Sequence, residues 1–325
     1  MRISNIFYGS FETLKEAYKI FSRNGKQVPF IALIYLCLGS IIFWSNVFSI
    51  KPLLTDYATK LTDLMIGSST PDTSGYTNQI FLMLDDFRIF IGVEWIFTVL
   101  NSLTLLLFSV ATILASAAIH NEKELDLKSL LVKIVKTWRR TFVTLFYTTL
   151  LDSGYALFVL ALQLPLFLIF GLELVIMFPF SYLTFTLLAS VFQLYLSIVW
   201  TLAFVVSTLE EKSGIEALGK AGQLVKGLKL KGFFLKFAFG LLCFVMFKLL
   251  MMMINKQTAS VSIAYVFVFF NMVSLIKMFS FIVFTVFYFE CKKKNGQEVE
   301  LQGGDVEFEY TKIPTNASHP AADIP

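Results

Sequence analysis

The chain has 325 residues, 56% of them hydrophobic and only 15% charged, with a mean hydropathy of +0.72. Soluble domains carry about 25% charged residues, so this composition excludes an ordinary soluble fold and points to a polytopic membrane protein. The net charge of +4 is too small to imply a nucleic-acid partner, and the three scattered cysteines, Cys37, Cys243 and Cys291, form no disulfide framework.

Residues 10–24 predict a short amphipathic helix. Ser10 can cap it, Phe11, Leu14, Ala17, Tyr18 and Phe21 line one face, and Asn24-Gly25 can end it. The first apolar run, about 28–48, has no small-residue cleavage site before it and is expected to act as an uncleaved signal anchor. Residues 49–88 are expected as a polar loop. It holds a weaker amphipathic piece (Leu53, Leu54, Tyr57, Leu61, Leu64, Met65) and the turn-forming string GSSTPDTSG at 67–75.

The second span is predicted at about 89–119. Ala111 with Ala115, and Thr112 with Ser116, stand at small-xxx-small spacing, which lets helix backbones approach closely. Next comes a further predicted amphipathic helix, 126–140. Asp126 is its candidate cap, Leu127, Leu130, Leu131, Ile134 and Trp138 its stripe, and Lys128, Lys133, Lys136, Arg139 and Arg140 its basic face. Residues 142–208 admit two long tilted spans or three short ones, with Pro165 and Pro179 as possible breaks. A third span needs roughly 20 apolar residues, and the interval between the prolines is too short, which favours two spans at about 141–170 and 178–208.

Residues 209–234 predict the third amphipathic helix. Ser213 and Glu216 fit a capping box. Ile215, Leu218, Ala221, Leu224 and Val225 recur at helical spacing, and Gly227 can supply a left-handed C-terminal cap. Glu216, Lys220, Gln223 and Lys226 occupy the other face, followed by Lys229 and Lys231. Spans five and six follow at about 233–254 and 261–289, and the polar tail from 290 is expected to be disordered.

Charge bias orients this layout. Twenty Lys and Arg fall before span 1, between spans 2 and 3, between spans 4 and 5 and in the tail. Only Lys51, Lys60, Arg88 and Lys256 fall on the opposite side. Both termini are therefore expected in the cytosol, with the choice between plasma membrane and endomembrane open. The expected fold is all-α. It has six spans in three hairpins, each preceded by a cytosolic in-plane amphipathic helix, forming one membrane domain over 1–289 with a cytosolic tail over 290–325. The threefold layout, starting at Ser10, Asp126 and Ser213, fits either duplication or the general economy of membrane hairpins.

One segment carries a resemblance. Glu210, Gly214, Ile215, Ala217, Leu218, Lys220, Ala221, Leu224, Val225, Lys226, Gly227 and Lys229 form a pattern similar to the signature of a family of uncharacterised six-span plant membrane proteins. The strings YFECKKKNGQEVELQ (288–302) and YTKIP (310–314) resemble the same family. More distantly, EAL-x-K-x-x-x-LVKG resembles the membrane domain attached to some glycerophosphodiester phosphodiesterases. These residues contain no phosphodiesterase domain, so that activity is not expected to carry over. The resemblance implies a six-span architecture and transfers no catalytic residue.

Two ionisable groups stand deep in spans. Asp152 lies eleven residues into span 3 and Lys277 twelve residues before the end of span 6, so both fall roughly 17 Å from one membrane boundary at about 1.5 Å per residue. A lone charge there costs about 2.5–3.5 kcal/mol, which favours an Asp152–Lys277 ion pair. Either a packing and registry device or a proton- or substrate-coupling site fits such a pair. Glu94 and Lys248 form a weaker depth match, with snorkelling as the alternative account of Lys248. Asn101, Gln193 and Asn271 are expected to form interhelical hydrogen bonds.

Enzyme signals are poor. His120 and His319 cannot build a metal cluster, and HExxH, GxSxG and GxxxxGK[ST] are absent from the sequence. Gly214, Gly219, Gly222, Gly227 and Gly232 match no dinucleotide fingerprint. Asp85-Asp86 fits a solvated helix start, and the glycosylation match at Asn316 is expected to be silent in the cytosol. Cys291, just before Lys292, Lys293 and Lys294, is placed for palmitoylation or is an idle buried thiol. The basic residues Lys128, Lys133, Lys136, Arg139, Arg140, Lys220, Lys226, Lys229, Lys231, Lys292, Lys293 and Lys294 are expected to contact anionic lipid headgroups. A non-enzymatic membrane organiser or adaptor without a cofactor is therefore expected, with membrane lipids and a protein as partners. The alternative is a small-solute or lipid transporter working through Asp152 and Lys277.

Overall fold

A computed structural model of the chain describes residues 3–23, 27–67, 73–122, 127–177, 179–255 and 259–296. Asn24-Gly25, Asp126, Asn316, His319 and the tail beyond 296 lie outside the described residues. Among the described residues the fold is entirely helical: α1 (Ile3–Arg23), α2 (Gln27–Gly67), α3 (Thr73–His120), α4 (Leu127–Met177), α5 (Pro179–Leu209), α6 (Gly214–Val225), α7 (Lys229–Ile254) and α8 (Ala259–Lys294). Six of these are long and apolar enough to cross a membrane: α2, α3, α4, α5, α7 and α8. The protein is thus a multi-pass integral membrane protein. The division of 142–208 resolves into two helices, with α4 unbroken through Pro165 and α5 opening at Pro179, where a missing N–H costs nothing.

Two expectations change. Residues 49–88 are not a polar loop: α2 runs on to Gly67 and α3 begins at Thr73. The extension is tied across, because Lys60 Nζ meets Asp56 at 2.8 Å and Asp86 at 2.6 Å. Residues 127–140 are likewise no separate helix but the opening turns of α4, since nothing between Arg140 and Thr141 interrupts the helical ladder.

The densest packing gathers at one end of the bundle, around α8. Ile282, Val283, Phe284, Val286, Phe287 and Tyr288 are all buried there, against Ile198, Leu202 and Val205 of α5 and Ala217, Ala221, Leu224 and Val225 of α6. Ala111, Thr112, Ala115 and Ser116 of α3 are buried as their small-residue spacing requires. The hydroxyls inside this core bond back to carbonyls of their own helices, as with Thr112 to Phe108, Ser116 to Thr112 and Ser207 to Phe204. They are satisfied within their own helices. Gly232 permits a close crossing, for a Cβ there would sit 3.1 Å from both Ile198 Cγ2 and Phe287 Cζ. Away from this end, α4, α5 and α7 turn Leu157, Phe158, Leu187, Leu188, Phe244 and Met252 outward, a surface suited to acyl chains.

α1 docks on α7 and α8, with Leu14 and Phe21 of the expected stripe packed against the core and Phe21 edge-on to Phe279. Ser10, Thr13, Ala17 and Ile20 are buried, whereas Phe11 and Tyr18, expected on the packing stripe, point outward beside Tyr8. Phe7 is held by an edge contact to Phe234, with ring centroids 4.1 Å apart.

Candidate functional site

At the α6 end of the bundle, charges are paired inside the protein. Glu210, in the link between α5 and α6, has a side chain only 11% exposed. Its Oε2 meets Lys220 Nζ at 2.5 Å, its Oε1 accepts the Tyr288 hydroxyl at 2.5 Å, and Lys292 Nζ stands 3.5 Å from Oε1. Arg140 Nη1 of α4 donates to the Glu210 carbonyl at 3.5 Å. The carboxylate of Glu210 thus joins α6 and α8, and its backbone carbonyl brings in α4. Burial alone would raise the Glu210 carboxyl. The hydrogen bonds from Lys220 and Tyr288, with the charges of Lys220 and Lys292, outweigh that and hold it below the ordinary carboxylate value.

A second knot lies beside it. Glu290 accepts Thr13 Oγ1 at 2.8 Å and pairs with Lys231 at 2.5 Å, binding α1, α7 and α8 together. His120 stacks on Phe289 with ring centroids 4.4 Å apart, and its Nδ1 lies 3.2 Å from Glu16 Oε1, bringing in α3. Consecutive residues of α8, Tyr288, Phe289 and Glu290, therefore hold different neighbours, because successive helical positions point about 100° apart.

The ends of α6 are fixed by neighbouring helices. Ser213 makes no capping bond. Gly214 instead takes a left-handed φ of +56° and donates its N–H to Thr144 Oγ1 of α4 at 2.9 Å, which replaces the expected box with Glu216. Gly227 does not adopt the left-handed cap, since among the described residues only Glu122, Gly214 and Gly296 have positive φ. Its carbonyl accepts Lys294 Nζ at 2.6 Å, and the Leu224 carbonyl accepts Asn295 Nδ2 at 3.5 Å. The C-terminal turn of α8 thus caps α6, a use of lysine favoured at helix ends. Of the expected stripe, Ala221, Leu224 and Val225 are buried, but Ile215 is 67% exposed.

Neither depth-matched ion pair forms. Asp152 is exposed and accepts Gln193 Nε2 of α5 at 2.5 Å, leaving Gln193 Oε1 buried and unbonded. Lys277 is exposed on α8, which packs on α1, α2, α3, α5, α6 and α7, whereas α4 packs on α3, α5 and α6. Equal depth gave no shared face. Glu94 meets Asn46 Nδ2 at 3.5 Å, and Lys248 lies 5.5 Å from the ring centroid of Phe244. Asn271 does bridge helices, accepting Ser40 Oγ of α2 at 3.3 Å. Between α2, α3 and α8 lies a cavity of about 10 Å³ lined in part by Tyr35, Ser109 and Thr112. That is room for a single water, not a solute.

The twelve basic residues divide. Lys220, Lys231 and Lys292 face internal carboxylates and Lys294 caps α6, so these four serve the fold. Lys128, Lys136, Arg139, Lys226, Lys229 and Lys293 are exposed, and Lys133 and Arg140 half-buried. Cys291 is 1% exposed, which withholds the thiol from an acyl donor and corrects its reading as a palmitoylation site. A variant keeping Cys291 alone, Cys37→Ser with Cys243→Ser, is expected to resist a thiol-reactive dye until it unfolds. Immediate labelling in the folded state would contradict the packing.

No group of three or more His, Cys, Asp or Glu side chains that could hold a metal occurs among the described residues. What this end assembles is a charged clasp on an all-helical, multi-pass membrane protein. The chain belongs to the family defined by the domain of unknown function DUF8558, whose profile matches residues 5–303. That match takes in 210–229 and 288–302, and the clasp joins Glu210 and Lys220 of the first to Tyr288 and Lys292 of the second. No curated protein and no solved structure matches the chain. Nothing in these matches links it to the glycerophosphodiester phosphodiesterases.

Proposed function

We propose that the protein is a non-enzymatic membrane organiser whose α6 end faces the cytosol, binds anionic lipid headgroups and presents a fixed surface to a protein partner. On this reading the six spans form three hairpins, both termini are cytosolic, and the segments 3–23, 127–140 and 214–225 lie at one interface. The resemblance to six-span plant membrane proteins agrees with that layout.

The observation that carries the reading is the division of the cations. Lys220, Lys231 and Lys292 face carboxylates and Lys294 caps α6, while Lys128, Lys136, Arg139, Lys226, Lys229 and Lys293 are exposed with no carboxylate partner among the described residues. They stand among outward Leu131, Val132, Val135, Ile215 and Leu230. Basic and apolar side chains on one surface suit a headgroup–acyl boundary, where each cation near an anionic surface contributes about 1 kcal/mol.

The full chain in nanodiscs of mixed neutral and anionic phospholipid tests this. Native mass spectrometry is expected to show anionic lipid enriched around the protein. Enrichment should fall in Lys128→Gln/Lys136→Gln/Arg139→Gln/Lys226→Gln and at high salt, which screens surface charges beyond about 10 Å at 0.1 M. Equal lipid retention by wild type and the quadruple variant would remove the proposal.

A further inference from the structure

Within one copy, Asp152 and Lys277 each lack an opposite charge. Both are exposed on segments apolar enough to span a membrane. Among the described residues neither forms an ion pair. Asp152 accepts an N–H from Gln193, but a neutral amide leaves the carboxylate's charge uncompensated. The cavity between α2, α3 and α8 offers no water to either, since neither side chain lines it. A charge inside hydrocarbon is costly unless it is paired or hydrated. Both residues call for a partner outside the copy that carries them.

The clasp sets their level. Arg140 of α4 and Tyr288 of α8 both bond Glu210. Asp152 stands twelve residues beyond Arg140, and Lys277 eleven before Tyr288. At about 1.5 Å per residue, each charge therefore lies about 17 Å along its helix from the clasp. The two helices share α3 and α5 as neighbours instead of packing on each other, so the charges stay apart within one copy. Rotation about an axis along the membrane normal, the closed symmetry open to a membrane oligomer, leaves that level unchanged. A neighbouring copy thus presents its Lys277 at the height of Asp152.

The face around Asp152 suits a helix better than lipid. Thr149, Asp152, Ser153 and Ala156 recur at helical spacing and are all exposed. Gly154, next to them, has no heavy atom within 4 Å of where a Cβ would stand. Small side chains there let another backbone come close. The flexible four-carbon stem of lysine can then carry its ammonium across to the carboxylate.

We propose that the Asp152 face of α4 is an interface with a second copy of this chain, whose Lys277 on α8 pairs with Asp152 inside the membrane. A charge-assisted hydrogen bond in a low-dielectric setting gives the contact both its strength and its register. The interface does not depend on lipid binding by the exposed basic face.

Full-length chains carrying two different affinity tags, co-expressed and extracted in a neutral detergent, test this by co-purification and native mass spectrometry. Wild-type copies are expected to co-purify. Asp152→Lys and Lys277→Asp, each expressed alone under both tags, should lose at least tenfold of that association through like-charge contacts. Asp152→Asn and Lys277→Met, which bring no new charge, should weaken it as well. Asp152→Lys/Lys277→Asp should restore it. A chain with Asp152→Lys should also co-purify with a chain carrying Lys277→Asp, because each then supplies the charge the other lacks. A folding defect would not be repaired by a second defective copy. Wild-type chains that stay monomeric would overturn the proposal. So would single reversals that associate like wild type, or a double reversal that fails to restore association.

Discussion

Glu210→Ala is expected to destabilise the protein by about 3–5 kcal/mol, the usual cost of removing one partner from a buried ion pair. The carboxylate answers Lys220, Lys292 and the Tyr288 hydroxyl at once, so its loss strands a half-buried and a buried ammonium as well as a buried phenol. Lys220→Met should cost less, because Lys292 and Tyr288 still satisfy Glu210. Glu210→Gln/Lys220→Met should recover part of the loss, giving a coupling energy in a double-mutant cycle. Thermal unfolding in nanodiscs measures all of these, and a Glu210→Ala protein as stable as wild type would show that the clasp carries no weight. The pH dependence has a fixed sign. The folded carboxyl sits below its unfolded value, so its contribution is present above the ordinary glutamate value of about 4.3 and disappears as pH falls through the folded value. Wild type should lose that increment on acidification, and Glu210→Gln should lack it at every pH.

The glycines of α6 are expected to respond in opposite directions. Gly214 combines φ +56° with a Cβ position 3.1 Å from Tyr147 Cδ2 and 3.2 Å from Cε2. Gly214→Ala should therefore cost about 1–3 kcal/mol from the left-handed backbone alone, before the tyrosine ring is displaced. Gly219 and Gly222 are helical and have no heavy atom within 4 Å of a Cβ. Alanine at either should stabilise by about 0.5–1 kcal/mol, since glycine is a poor helix former. The same thermal unfolding compares the three. A shared sign would mean that α6 is not held at Gly214 as described.

The spans were legible because a chain crossing hydrocarbon must satisfy its backbone internally over about 20 apolar residues, and such runs survive any ambiguity of packing. α6 was legible as well, its observed bounds Gly214–Val225 falling inside the predicted stretch. Its caps were not, because Thr144 and Lys294 come from helices distant in sequence. The same limit governs the charges. Position along a helix measures the depth of Asp152 and Lys277, but not which neighbour each faces, and the faces decided against that pair. Lys220 and Lys292 announced positive charge without announcing Glu210, so they were assigned to lipid when they belong to the interior. Glu210 itself stood in the signature with no role until Tyr288 was seen to reach it.

The length of α4 has a mechanical consequence. Its 51 unbroken residues extend about 76 Å, against a hydrocarbon thickness of about 30 Å. Even a steep tilt of about 40° leaves the helix longer than the membrane is thick. Near one end, Arg140 reaches the Glu210 carbonyl. Between Arg140 and Met177 the lever arm is about 55 Å, so a few degrees of rotation at the charged end sweep the distant tip through several ångströms.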